Sequence, residues 1–200
     1  FRIKVSFLTF DAKDAVITTG AMFFGPLTAL VSSAVVALLE LITVSDTGIY
    51  GCIMNFISSA AFSVTASLIY KYRRKLSGAI TALAGAVVAM VACMMVANLL
   101  ITPFYMHVTV SDVRGLIPTL LFPFNLTKGF LNASLVLLLY KPVTRALRAS
   151  GLIIRMQSTE PPVKTRKITI IIAIIAAVLV VISILVFLVL LNGQFELYRS

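Results

Sequence analysis

LSGAITALAGAVVAMVACMMVANLLI, residues 76–101, carries no charged residue over its whole length. About 20 helical residues cross the ~30 Å hydrocarbon layer of a bilayer, so this stretch is long enough to span one. Its apolar residues run on without the alternation that a membrane β-strand of about ten residues shows. The run therefore reads as a membrane helix, and an all-α integral membrane bundle is the expected fold class. Small residues at Gly78, Ala82, Gly85, Ala86, Ala89 and Ala97 suit close helix contact.

The same reading extends outward along the chain. Before this run stands Lys71-Tyr72-Arg73-Arg74-Lys75, and before that an apolar helix is expected over 50–70. Apolar sequence also runs from Ala15 to Ile42, broken by Gly25-Pro26. Proline removes a backbone donor and disfavours helix in the residue before it, which divides the run into helices 15–24 and 26–43. The first is too short to span by itself unless it packs inside a bundle. Residues 1–14 read as a loop and 43–48 as a polar turn. Residues 103–123, with Pro103, Gly115, Pro118 and Pro123, read as irregular, and a further helix is expected over 124–147. A basic linker, 149–167, precedes another apolar run, 168–192, and a short tail, 193–200. Taken whole, 60% of the 200 residues are hydrophobic and 12% are charged. That is too few charges to cover a soluble domain and suits a lipid-facing surface.

The net charge of +10 does not point to nucleic acid, because 11 of the 17 basic residues fall in two stretches, 71–75 and 141–167, that flank apolar runs. The positive-inside rule places such clusters in the cytoplasm. With 71–75 and 141–167 inside, helices 76–101 and 124–147 supply the two crossings between them. Loops 1–14, 43–49 and 102–123 then face outward, and a multi-pass protein of the bacterial plasma membrane is expected. Cys52 and Cys93 lie in apolar segments at a spacing that suits neither a metal site nor a disulfide framework. His107 stands alone, so no metal is expected. No nucleotide-hydrolysing motif or serine-nucleophile elbow is present, and no enzymatic activity is expected.

Polar side chains inside a membrane are costly and are the first functional candidates. Asn98 lies near the outer end of 76–101, and Asn125 and Lys128 near the start of 124–147, with Asn132 on the same helical face. An amide offers a donor and an acceptor, and an ammonium offers donors only. Together they suit a heterocycle edge of alternating carbonyl and N–H groups. Phe56, Phe104, Tyr105, Phe122 and Phe124 are candidates for an aromatic slot around a flat ring. The structural alternative makes the Asn residues interhelical bonds, Lys128 a snorkelling side chain and the aromatics an interfacial belt. The pattern alone leaves both open.

Four stretches carry a family resemblance. They are Phe7-Leu-Thr-Phe-Asp11 with Phe24-Gly-Pro26; Gly51-Cys-Ile-Met-Asn-Phe56; Asn98-Leu-Leu-Ile-Thr-Pro-Phe-Tyr105; and Phe122-Pro-Phe-Asn-Leu-Thr-Lys-Gly129. Over residues 5–147 the chain resembles the substrate-binding S components of energy-coupling factor (ECF) vitamin transporters, of the riboflavin-specific kind. The resemblance implies that Asn98, Asn125 and Lys128 hydrogen-bond the flavin ring. It implies that Leu8, Thr9 and Phe10 cover the ligand, with Asn55, Phe56 and Phe124 completing the substrate-binding set. Riboflavin, or FMN, is then a bound substrate and not a cofactor. A transmembrane coupling subunit and two ATPase subunits are the implied partners, and toppling of the S component in the membrane the implied motion. Two departures from the family's pattern are expected. The chain begins after the family's first helix, and run 168–192 lies beyond the family core of 1–148. A different vitamin, or a non-transport membrane scaffold, remain the alternatives.

Overall fold

The computed structural model describes residues 2–5, 8–43 and 48–150, together with four isolated helical positions, Ile174, Ala177, Val178 and Val181. Most of the expected linker, the run 168–192 beyond those four positions, and the tail lie outside the described residues. Strands β1 (Arg2–Val5) and β2 (Leu8–Asp11) form an antiparallel hairpin that pairs Arg2 with Asp11 and Val5 with Leu8. Six helices follow: α1 (Lys13–Phe24), α2 (Pro26–Thr43), α3 (Gly48–Tyr72), α4 (Leu76–Met106), α5 (Val110–Leu116) and α6 (Phe122–Ala149). A π-helical turn, Ile117–Leu121, joins the last two. Among the described residues, four spans are long and apolar enough to cross a membrane: α2, α3, α4 and the continuous stretch from Val110 to Leu147.

The polarity of the bundle is inverted relative to a soluble protein. Leu27, Leu30, Val31, Leu38 and Leu39 of α2 are exposed, whereas Ser58, Ser59, Ser63 and Ser67 of α3 are buried. On α2 only Ala29, Ser33 and Ala37 are buried, a small-residue stripe at four-residue spacing that lets the backbone approach its neighbours. The core proper packs Phe62, Ala66 and Tyr70 of α3 against Ala82, Ala86 and Met90 of α4 and Ala133 and Val136 of α6. Two glycines lie at close helix contacts. A Cβ on Gly85 would lie 2.6 Å from Ile69 Cδ1, and one on Gly129 would lie 3.0 Å from Val87 Cγ1.

Pair contacts fix the helix directions. Thr18 meets Ser63 at 2.7 Å, and Phe23 packs on both Tyr70 and Tyr140. Residue numbers thus rise together on α1, α3 and α6, which run parallel, while Asn55–Glu40 and Gly85–Ile69 make α2 and α4 antiparallel to α3. At the end nearest residue 71, the Tyr70 and Tyr140 hydroxyls share a hydrogen bond of 2.8 Å and close the α1–α3–α6 trio.

Three expectations are corrected. The described residues of 1–14 are not a loop: 2–5 and 8–11 are paired strands, and 13–14 begin α1. Helix α4 does not stop before Pro103. It continues to Met106, because a proline removes one donor without barring helix beyond it, and ends at His107 in the left-handed conformation (φ 54°). Residues 103–123 are not irregular. Thr109 caps α5 in a reciprocal box with Asp112, and Pro118 lies at the start of the π turn, whose wider coil carries the helix on into α6 from Phe122.

Candidate functional site

The bundle holds one strongly polar layer, and its centre is a residue that the sequence pattern did not single out. Asp14, in the first turn of α1, is fully buried. Its Oδ1 accepts a hydrogen bond from Ser59 of α3, and its Oδ2 lies 3.5 Å from Lys128 Nζ of α6. A carboxylate in the first turn also complements the positive end of the helix dipole. Asp14, expected in the outer loop 1–14, is therefore found inside the bundle, paired with Lys128.

Ser59 is the twelfth of the 25 residues of α3. At 1.5 Å per residue it lies about 16 Å below the α3 N-terminus, so the ion pair is at mid-span and not at the rim. Helix α1 thus begins halfway down the bundle, which is why twelve residues suffice for it. Only Ala12 separates β2 from α1, so the hairpin leads directly to the buried pair. One residue earlier, Lys13 pairs with Glu40 of α2, whose Oε2 also accepts from Asn55 Nδ2 at 3.1 Å. Glu40 is thus the centre of a half-buried cluster.

The three predicted ligand-binding side chains are all buried: Asn98 is 0% exposed, Asn125 1% and Lys128 4%. Antiparallel pairing of Gly85 with Ile69 brings Asn98, thirteen residues on, to the level of Phe56, thirteen residues back. Asn125 lies one α6 turn above Lys128. The two amides and the ion pair therefore occupy adjacent turns of the bundle. Asn98 Nδ2 donates to Met94 O (2.7 Å) and its Oδ1 accepts from Thr102 (3.0 Å); Asn125 Nδ2 donates to Leu121 O (2.8 Å). Each amide nitrogen carries two hydrogens, so one remains to meet a ligand. Asn132, a turn below Lys128, is buried with its Oδ1 unpartnered.

The other candidates divide. Phe56 is half-buried on α3 near the Asn98 level, whereas Phe124 is buried in a separate cluster with Val113 and Leu121. Phe104 and Phe122 are exposed, as an interfacial belt would be. Leu8, Thr9 and Phe10 form most of β2. A cleft of about 230 Å³ opens at the far end of the bundle, lined by Phe23, Pro26, Ser67, Lys71 and Arg74 among others. It lies a helix half-length from the polar layer and contains none of the predicted residues.

The sequence profile described as the ECF transporter substrate-specific component matches residues 1–140. The chain belongs to this family. The riboflavin transporter RibU of Staphylococcus aureus (strain TCH60) is 29% identical over 149 residues, which are 71% of this chain and 78% of that protein. A solved structure, described as the S component of a bacterial ECF transporter, superposes with a TM-score of 0.62 at 27% identity, covering 74% of this chain and 86% of its own. The all-helical membrane fold expected from the sequence is that of an S component. Its several apolar spans make this S component a multi-pass protein of the cell membrane. Aspartate 14 and serine 59 were not legible as site residues, because Asp14 stands in a polar stretch (Asp11-Ala-Lys-Asp14) that resembles any loop.

Proposed function

We propose that this S component binds riboflavin in the polar layer and serves as the substrate-specific subunit for its uptake. The carrying observation is that Asn98, Asn125 and Lys128 are buried on adjacent turns of a chain related to RibU. The flavin pyrimidine edge presents carbonyl, N–H and carbonyl groups, which two amides and an ammonium complement. Phe56 lies near that level, and β2 would cover the ligand. Uptake then requires a coupling membrane subunit and two ATPase subunits, since the sequence has no nucleotide-hydrolysing motif. Toppling of the S component in the membrane would carry the pocket inward.

The test is an absorbance and fluorescence titration of the detergent-purified protein with riboflavin. Quenched flavin emission with a saturable affinity supports the proposal. A protein that neither quenches riboflavin nor gains thermal stability from it sinks it, and parallel titration with FMN separates the two flavins. A second reading, a membrane scaffold with the Asn residues as structural bonds, has one observation behind it: both amides already donate to carbonyls of their own helices. It predicts that Asn98→Ala lowers stability while no flavin binds to the parent protein.

A further inference from the structure

A charged pair in the middle of a membrane bundle needs an explanation. Removing two ions from water is costly, and an apolar pair of the same volume is commonly as stable. Asp14 and Lys128 have side chains 0% and 5% exposed and come from helices α1 and α6, far apart in sequence. The carboxylate and the helix that carries it are both tied to α3. Ser59 donates to Oδ1, and Thr18, one turn along α1, bonds both to Asp14 O (2.6 Å) and to Ser63 (2.7 Å), which fastens α1 to α3. Asp14 is therefore fixed by α1 and α3 while it faces a cation on α6. Its Oδ2 has no hydrogen-bond donor. What holds Asp14 is a rigid frame, and what it holds is the Lys128 ammonium.

We propose that Asp14 is the positioning residue of the ligand site, holding the Lys128 ammonium at mid-bundle. The proposal rests on the flavin-binding reading above. It deepens that reading by naming a residue that acts through Lys128 and by linking the site to the hairpin. A side chain held by its partner loses less freedom on binding a ligand. Because only Ala12 lies between β2 and α1, Asp14 also ties the end of β2 to the level of Lys128.

The experiment is a double-mutant cycle on the full chain in detergent, read by riboflavin fluorescence quenching. Asp14→Asn, Lys128→Met and the double variant are compared with the parent chain. Hydrogen–deuterium exchange of amides 8–12 is followed with and without riboflavin. Asp14→Asn is expected to weaken binding about tenfold or more and to abolish riboflavin-dependent protection of amides 8–12. In the Lys128→Met background it is expected to have no further effect. An affinity within about twofold of the parent, or losses that multiply in the double variant, overturns the proposal, since Asp14 would then not act through Lys128. Should Asp14→Asn not fold, Ser59→Ala replaces it in the same cycle: a loss of affinity that vanishes with Lys128→Met supports the proposal, and one that persists overturns it. A parent chain that does not bind riboflavin at all is the failure of the flavin reading and is seen before any variant is made.

Discussion

Lys128 Nζ lies 3.5 Å from Asp14 Oδ2, and both side chains are withdrawn from the surface. Each charge makes the other tolerable. Removing either one takes a buried opposite charge away from the other. Asp14→Ala is expected to cost about 3–5 kcal/mol, and Asp14→Leu combined with Lys128→Met to recover most of that loss. Thermal unfolding in detergent without ligand measures both. A double variant no more stable than Asp14→Ala would mean that the pair is not the source of the loss.

The amides make a separable prediction. Asn125 donates to Leu121 O within its own helix, a bond worth about 1 kcal/mol. Asn125→Ala should therefore lower stability only modestly while weakening riboflavin binding about tenfold or more. Equal riboflavin affinity in parent and variant would remove Asn125 from the site.

Helix contact can be tested at its glycines. A side chain at Gly129 meets Val87 and Met90 within 3.0–3.3 Å, so Gly129→Val should force α6 from α4 at a cost of about 1–3 kcal/mol. Gly85→Ala meets only the far end of Ile69, which can rotate away, and should cost less. A stability ranking in the reverse order would show that the α4–α6 contact is looser than drawn.

Orientation follows from the basic clusters and is checked by labelling. With Cys52 and Cys93 replaced by Ala, Arg74→Cys should react with an impermeant maleimide only from the cytoplasmic side. Ser111→Cys, on α5, should react only from outside. The opposite pattern would invert the membrane orientation and place the hairpin inside.

Helices α2, α3 and α4 were legible as continuous apolar runs, and the Gly25-Pro26 break fell where the sequence placed it, although α4 runs on past its expected end to Met106. Proline was a poorer guide elsewhere. Pro103 and Pro118 lie within helical stretches, since a left-handed cap at His107 and a π turn at 117–121 absorb what proline disrupts. At the site, Asn98, Asn125 and Lys128 stood out as polar groups in apolar surroundings, which is a local signal. Asp14 did not, because its burial comes from α3 and α6, and no local pattern reports what a distant helix supplies. The same applies to Glu40, whose partners Lys13 and Asn55 lie on two other helices.

The half-length of α1 bears on the order in which the protein assembles. Ribosomes deliver α1 long before α6, yet Asp14 meets the cation that neutralises it only when α6 is in place. Twelve residues with a carboxylate at their start cannot hold a transmembrane position unaided. The early-made segment must therefore wait at the membrane surface, or against α2 and α3, and settle last. Chain order and locking order are reversed, with the final insertion of α1 bringing the hairpin to its seat.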